Sequence, residues 1–214
     1  MTPGSSPFLR SWPDGEDIVA VGGRLDPELV LDAYRHGVFP FYDADQPVLW
    51  WCPDPRAVLE VDALHVPRRL MRTLRRSDWE VTVDTAFEEV VRACDEQRPD
   101  GTWIHEAMVR CYTALHAAGH AHSLEVRREG RLVGGIYGVA VGGLFAAESK
   151  FHRARDASKV ALVHLARRLA DRGYTLLDVQ FLTPHLAQFG CVEIPRDEYL
   201  ARVARAVGQD VAFV

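Results

Sequence analysis

Between Asp26 and Gly37 the apolar residues Leu29, Val30, Ala33 and Tyr34 recur at the spacing of one helix face. Asp26-Pro27 offers a cap with a first-turn proline and Gly37 offers a stop, so the segment predicts a helix. Past Gly37 the pattern changes. Phe39-Pro40-Phe41-Tyr42 and the run from Pro47 to Arg56 interleave prolines with rings. Prolines at that density exclude a long helix. The segment predicts extended chain packed by its aromatics, serving either as a small core or as a stacking surface.

From residue 56 onward the pattern is regular. Strands are predicted over 57–61 and 79–84, and helices over 67–76, 86–95 and 106–118, with a turn at Gly101-Thr102-Trp103-Ile104. Three strands follow, over 122–128, 132–141 and 144–149, joined by turns at Glu129-Gly130 and Gly142-Gly143. Residues 150–155 read as a loop and Asp156-Ala157-Ser158 as a capped helix start. That helix reaches about residue 172, where Gly173 stops it, and the last strand covers 174–181. Strand, strand, strand, helix, strand is the order of an α/β (α+β) domain of the acyl-CoA N-acyltransferase-like (GNAT-like) type. We read 56–214 as such a domain, the expected catalytic one given the motifs below, and 1–55 as a small N-terminal one.

Composition narrows the class. A chain of 214 residues, 48% hydrophobic and 26% charged, is ordinary for a globular protein with a sizeable core. No stretch approaches the roughly 18 apolar residues of a membrane span. The Pro/Ser-rich start has no apolar segment of the kind a signal peptide carries, so a cytoplasmic location is expected. Cys52, Cys94, Cys111 and Cys191 form no close pair and are expected as free thiols, without a metal.

Charge adds one local feature. The net charge of −5 speaks mildly against a polyanion partner. Yet Arg68, Arg69, Arg72, Arg75 and Arg76 fall within nine residues that hold no acid. Positions 68, 72, 75 and 76 share roughly one helix face. A face of one sign is either a charged surface helix or a polyanion contact.

Three polar residues sit where a core is expected. Glu148 ends an apolar strand, and Asp178 and Gln180 interrupt another, on one face by period 2. Carboxylates among apolar neighbours need partners, so these are either a structural network or a polar pocket between adjacent strands. His116, His120 and His122 have ligand-like spacing, but they straddle a helix end and a strand start, which predicts misalignment. Gly134, Gly135 and Gly138 match no phosphate loop and are expected to permit close packing.

Several longer motifs carry a resemblance. Leu132-Val133-Gly134-Gly135-Ile136-Tyr137-Gly138-Val139, Leu144-Phe145-Ala146-Ala147-Glu148-Ser149-Lys150-Phe151, Asp156-Ala157-Ser158-Lys159, Leu177-Asp178-Val179-Gln180 and Gly190 to Arg196 are similar to successive motifs of the leucyl/phenylalanyl-tRNA–protein transferases. Upstream, Gly37-Val38-Phe39-Pro40 and Leu49 to Arg56 also resemble that family. The resemblance implies transfer of Leu or Phe, with Met as a further donor, from aminoacyl-tRNA to the α-amine of proteins beginning with Arg or Lys. It implies no cofactor, a monomer, and a place in the N-degron pathway of protein degradation.

Residue by residue, it implies an acceptor and catalytic site of Glu148, Asp178 and Gln180. Ile136, Phe145, Leu162, Leu165 and Leu177 would line the aminoacyl side-chain pocket. Trp103, Tyr112 and Phe41 would stack on the terminal adenosine, and Arg68, Arg72, Arg75 and Arg76 would meet tRNA phosphates. Asp178 hydrogen-bonded to Gln180 is read in that family as a relay with Gln180 as base. A glutamine amide is a very weak base, so orienting the amine is the easier role. This chain departs from the family at Phe41, where a Trp is usual, at His164 in the pocket-forming helix, and at Thr183-Pro184. Two rivals stand beside this reading. A CoA-dependent N-acyltransferase would need a glycine-rich loop, and 152–159 has no glycine. A non-catalytic RNA-binding module leaves Glu148, Asp178 and Gln180 unexplained.

Overall fold

A computed structural model describes residues 6–8, 12, 15–75, 78–96 and 104–214. Its elements begin with β1 (Ile18–Val21), α1 (Pro27–Arg35), β2 (Phe39–Pro40), β3 (Leu49–Trp51) and β4 (Arg56–Leu59). A 3-10 turn, Val61–Ala63, precedes α2 (Arg68–Leu74), β5 (Glu80–Val83), α3 (Phe87–Glu96) and α4 (Glu106–Ala117). Then come β6 (Ala121–Arg128), β7 (Arg131–Val141), β8 (Leu144–His152), α5 (Ala157–Asp171) and β9 (Leu176–Gln180). The chain closes with α6 (Pro184–Ala187), β10 (Val192–Ile194) and α7 (Arg196–Ala206).

The strands form two sheets. A small one has the order β1-β3-β2, and a seven-stranded one the order β10-β4-β9-β8-β7-β6-β5. Every pairing in the large sheet is antiparallel except β8 with β9, which α5 connects as a crossover. This is the mixed α/β arrangement that the order of elements predicts. The strands β6 to β8 alternate between two cores. Ile136 and Phe145 pack with Leu162 and Leu165 of α5 on one face. Tyr137 and Ala146 pack with α1, α3 and α4 on the other, in a cluster that also takes in the rings around β2 and β3. Each fully buried Leu or Phe contributes about 1.5–3 kcal/mol.

Glycines let α5 and β8 close on β7. A Cβ at Gly134 would lie 2.6 Å from the Ala157 Cβ, and one at Gly138 would meet the Ala146 carbonyl and the Phe145 ring. The close-packing role expected of these glycines holds.

Two local expectations change, and a third falls outside the described residues. Residues 150–152 are not loop, because β7 extends far enough to pair with them, Ile136 with Lys150 and Gly134 with His152. Asp156 does not cap α5 by its side chain. It takes a left-handed φ of 66° and accepts from Lys159 Nζ at 2.7 Å. The expected turn at 101–104 lies outside the described residues except for Ile104, which is buried. At the other end of the scale, Asp26 caps α1 as expected, accepting from the amides of Glu28 and Leu29.

Candidate active site

The site arises where two strands stop pairing. The β8–β9 ladder ends at Ala146 opposite Asp178. One step beyond, β8 bulges: Tyr137 pairs with Ser149 and Gly138 with Ala147, which leaves Glu148 as the extra residue. A bulge re-aims the side chain it frees. Across the gap the Gln180 side-chain amide donates to Glu148 Oε1 at 3.1 Å. Gln180 itself has a φ of 59°, a left-handed backbone that costs a non-glycine residue about 1–2 kcal/mol.

Asp178 holds that turn in place. Its Oδ1 accepts the Gln180 backbone N–H at 3.0 Å and Arg56 Nε at 2.8 Å. Its Oδ2 accepts Arg56 Nη2 at 2.6 Å and the Tyr199 hydroxyl at 2.9 Å. Arg56 is wholly buried between the rings of Phe39 and Tyr199, 4.6 and 4.5 Å from their centroids. Four donors saturate this carboxylate. The link between Asp178 and Gln180 therefore runs through the backbone, and the Gln180 amide turns to Glu148 instead.

Glu148 has a different environment. Tyr112 donates its hydroxyl to Oε2 at 3.1 Å, and Tyr112 in turn shares a 2.7 Å hydrogen bond with the Tyr34 hydroxyl. Removal from water pushes the Glu148 carboxyl up to about 7, with the two tyrosine hydroxyls pulling the other way. No ion pair reaches it among the described residues.

Glu148 and Gln180 open onto a cleft of about 300 Å³. Its walls are Phe39, Pro40, Phe41, Val179, Phe181, Thr183 and Leu186. Phe181 is 43% exposed and meets Phe39 and Trp51 edge-on at 6.0 and 6.4 Å. Phe41 is edge-on to Trp51 at 6.0 Å. The result is an aromatic-walled slot with one carboxylic acid at its base.

The residues singled out from the sequence distribute unevenly. Glu148, Gln180 and Phe41 line the cleft, and Asp178 lies behind it. Tyr112 does not suit the stacking role expected of it. Its ring is 0% exposed, enclosed beside Tyr137, and its hydroxyl serves Glu148. Trp103 lies outside the described residues. Ile136, Phe145, Leu162, Leu165 and Leu177 do meet, in one closely packed apolar cluster, but they are not in the wall of the 300 Å³ cleft. Arg68, Arg72 and Arg75 are exposed on and just after α2, and Arg76 lies outside the described residues. Arg69 and Arg72 border a groove of about 580 Å³ with Thr73, Trp79, Arg128, Arg155 and Asp156.

Sequence reading passed over Arg56, Tyr34 and Tyr199. Each acts through a partner at long range, so no local pattern marks it. The one cue was Arg56 itself, a cation opening an apolar strand. The histidines also correct an expectation. His116 and His122 are brought together by the packing of α4 on β6, and with Asp84 they form the group that could offer three metal ligands, within 4.8 Å of one another. His122 Nδ1 already bonds Asp84 Oδ2 at 2.7 Å, and His116 Nδ1 bonds the Ala121 carbonyl at 2.8 Å. Among the described residues, no helix is long and apolar enough to cross a membrane.

Comparison with known proteins finds a matching family and close relatives. The family described as leucyl/phenylalanyl-tRNA protein transferase matches residues 58–204, and its N-terminal domain matches 23–54. A leucyl/phenylalanyl-tRNA–protein transferase of Nitratidesulfovibrio vulgaris (strain Hildenborough) is 53% identical over 203 residues, 94% of this chain and 86% of that one. Its counterpart from Anaeromyxobacter sp. (strain K) is 53% identical over 200 residues, 92% and 85% of the two chains. Among solved structures, a GCN5-related N-acetyltransferase from Kribbella flavida is similar at a TM-score of 0.42 and 14% identity, over 79% of this chain and 61% of that one.

Proposed function

The chain belongs to the leucyl/phenylalanyl-tRNA–protein transferase family, and from that premise we propose that it moves Leu or Phe from aminoacyl-tRNA to the N-terminal α-amine of proteins beginning with Arg or Lys. Met is a further donor in this reading. The transfer marks the acceptor for the N-degron pathway, in the cytoplasm, and the enzyme acts as a monomer.

The chemistry is aminolysis of an ester. The acceptor nitrogen forms a bond to the aminoacyl carbonyl carbon, the bond from that carbon to the ribose 3′-oxygen breaks, and the 3′-hydroxyl leaves. An N-terminal ammonium must first lose a proton. Glu148, pushed up to about 7, is suited to take it near neutral pH. Gln180 keeps a carbonyl oxygen that can accept from the amine, while its N–H group holds Glu148 in place. Asp178 is a positioning residue for Gln180, since Arg56, Tyr199 and the Gln180 backbone occupy it. Phe41 and Phe181 offer ring faces or edges to the terminal base, a contact worth about 1–3 kcal/mol.

The observation that carries the reading is Glu148, a carboxyl freed by a bulge at the floor of an aromatic cleft and without an ion pair among the described residues. Incubation with labelled Leu-tRNA and an Arg-initiated peptide tests it. Label on the peptide amine is the expected result. Label that stays on the tRNA would overturn the enzyme reading and favour a binding module, and acetylation by acetyl-CoA would favour the CoA-dependent rival.

A further inference from the structure

Two grooves share a wall, and the second is bordered by the same short helix that borders the cleft. The groove of about 580 Å³ begins on α2 with Arg69 and Arg72, and reaches Arg155 and Asp156 just ahead of α5. A second groove of about 480 Å³ is lined by the same Arg155 and Asp156, by Arg153 and Lys159, and by His185 on α6. α6 and its cap then supply Leu186 and Thr183 to the wall of the cleft that holds Glu148. Arg155 is the joint between the grooves, and α6 is the wall between the second groove and the cleft.

The lining is strongly basic in a chain of net charge −5. Several of these cations are held in place: Arg128 by Asp78 at 2.6 Å and the Trp79 ring at 4.3 Å, Arg153 by Glu96 at 2.8 Å, Lys159 by Asp156 at 2.7 Å. Arg155 is different. Its side chain is 74% exposed, and its nearest acid, Asp156, is 3.8 Å away. Arg72 makes no ion pair among the described residues. Cations of this kind gain most from a polyanion, because binding one releases its counterions.

We propose that the single-stranded 3′ end of the RNA donor lies in the second groove, with Arg155 on its phosphates, while the arginines of α2 hold the duplex behind it. This rests on the reading of the chain as an aminoacyl-tRNA-dependent transferase. A basic groove that leads a flexible strand into an aromatic slot is the usual way to hold single-stranded nucleic acid. The sequence pointed only to the α2 arginines. α2 does not line the cleft, and the second groove shares Arg155 with the α2 groove and α6 with the cleft, which makes it the route for the strand.

The test uses the full chain and two labelled RNA hairpins, one with a four-nucleotide single-stranded 3′ overhang and one blunt, titrated across a salt series. Arg155→Glu is expected to weaken the overhang hairpin about tenfold and to lower its salt slope by about one, leaving the blunt hairpin unchanged. Arg72→Glu is expected to weaken both. Arg155→Gln, with an unchanged melting temperature, should move the same way by less and guards against misfolding. Overhang binding unchanged in Arg155→Glu, equal weakening of both hairpins, or no binding by the wild type would each overturn the proposal. Transfer from Leu-tRNA is read in parallel. A wild type that transfers leucine, with the same KM for Leu-tRNA in Arg155→Glu, removes the groove assignment alone. A wild type that transfers none removes the functional reading beneath it.

Discussion

The Arg56 guanidinium grips the Asp178 carboxylate through two parallel hydrogen bonds, Nε to Oδ1 at 2.8 Å and Nη2 to Oδ2 at 2.6 Å, with both side chains fully buried. The pair joins the start of β4 to the middle of β9, and Tyr199 of α7 adds a further donor. Asp178 is thereby a fixed anchor. It positions the Gln180 turn, and Glu148 is the carboxyl that lines the cleft without an ion pair among the described residues.

Removing one partner of this pair should strand a buried charge. Arg56→Met is expected to lose about 3–5 kcal/mol in urea unfolding. The double variant Arg56→Met/Asp178→Leu should recover most of that loss and stay inactive, because nothing then holds the Gln180 amide. Activity in the double variant would show that the pair serves the fold alone.

Asp178→Asn keeps the shape of the anchor and removes its charge. Turnover should fall sharply while affinity for aminoacyl-tRNA stays within a few-fold, as suits a residue that orients the acceptor side of the cleft. Equal losses in kcat and tRNA affinity would remove that assignment. Single-turnover rates with pre-bound Leu-tRNA separate the two.

Glu148→Gln should cost 10²–10⁴-fold in rate, the usual range for a lost general base. Wild-type rate should climb with pH up to about 7, where Glu148 ionises, and the variant should lose that limb. The same substitution should help the fold. Between pH 4.5 and about 7 the unfolded chain ionises Glu148 while the folded chain keeps it protonated, so wild-type stability declines across that window and levels above it. The gap corresponds to at most about 3 kcal/mol. Melting curves at pH 5 and pH 8 should therefore converge in Glu148→Gln relative to the wild type.

Much of this was legible from sequence, for identifiable reasons. Alternation in β6, β7 and β8 was visible because one face meets α5 and the other meets α3 and α4, so every second residue is apolar in a distinct core. Glu148 stood out because a carboxylate ended an apolar run. The bulge that frees it was invisible, since register depends on the partner strand. Tyr112 looked like a stacking ring because its burial comes from α1 and β7, far away in sequence. Residues 150–152 looked like loop because Lys150 and His152 are polar and Phe151 alone offers too short an apolar signal, whereas the backbone of all three pairs with β7. After residue 181, α6 and β10 have four and three residues, too few for a period to register.

Gly138 sits beside the bulge, and its missing side chain is a condition of that geometry. A Cβ there would run into the Ala146 carbonyl and come within 2.5 Å of the Phe145 ring. Neither backbone nor a core ring can yield cheaply. Gly138→Ala is expected to lower the melting temperature by several degrees and to cut activity more than stability, as Glu148 shifts with β8. An unchanged melting temperature would show that the strand yields.

Tyr112 separates two accounts of one residue. Tyr112→Phe keeps the ring and deletes the hydroxyl that reaches Glu148. Burial raises the Glu148 carboxyl and the tyrosine hydroxyls lower it, so losing one should raise it further. The rising limb of the pH–rate profile should then move to higher pH, and the rate at pH 7 should drop several-fold. KM for aminoacyl-tRNA should stay put, because the enclosed ring offers no face to a base. Tyr112→Leu, which removes the ring as well, should add a loss of stability on the order of 1–3 kcal/mol without weakening RNA binding in the fraction that folds. A selective loss of aminoacyl-adenosine affinity in that variant would mean that the ring swings out to stack, and would return Tyr112 to the donor side of the site.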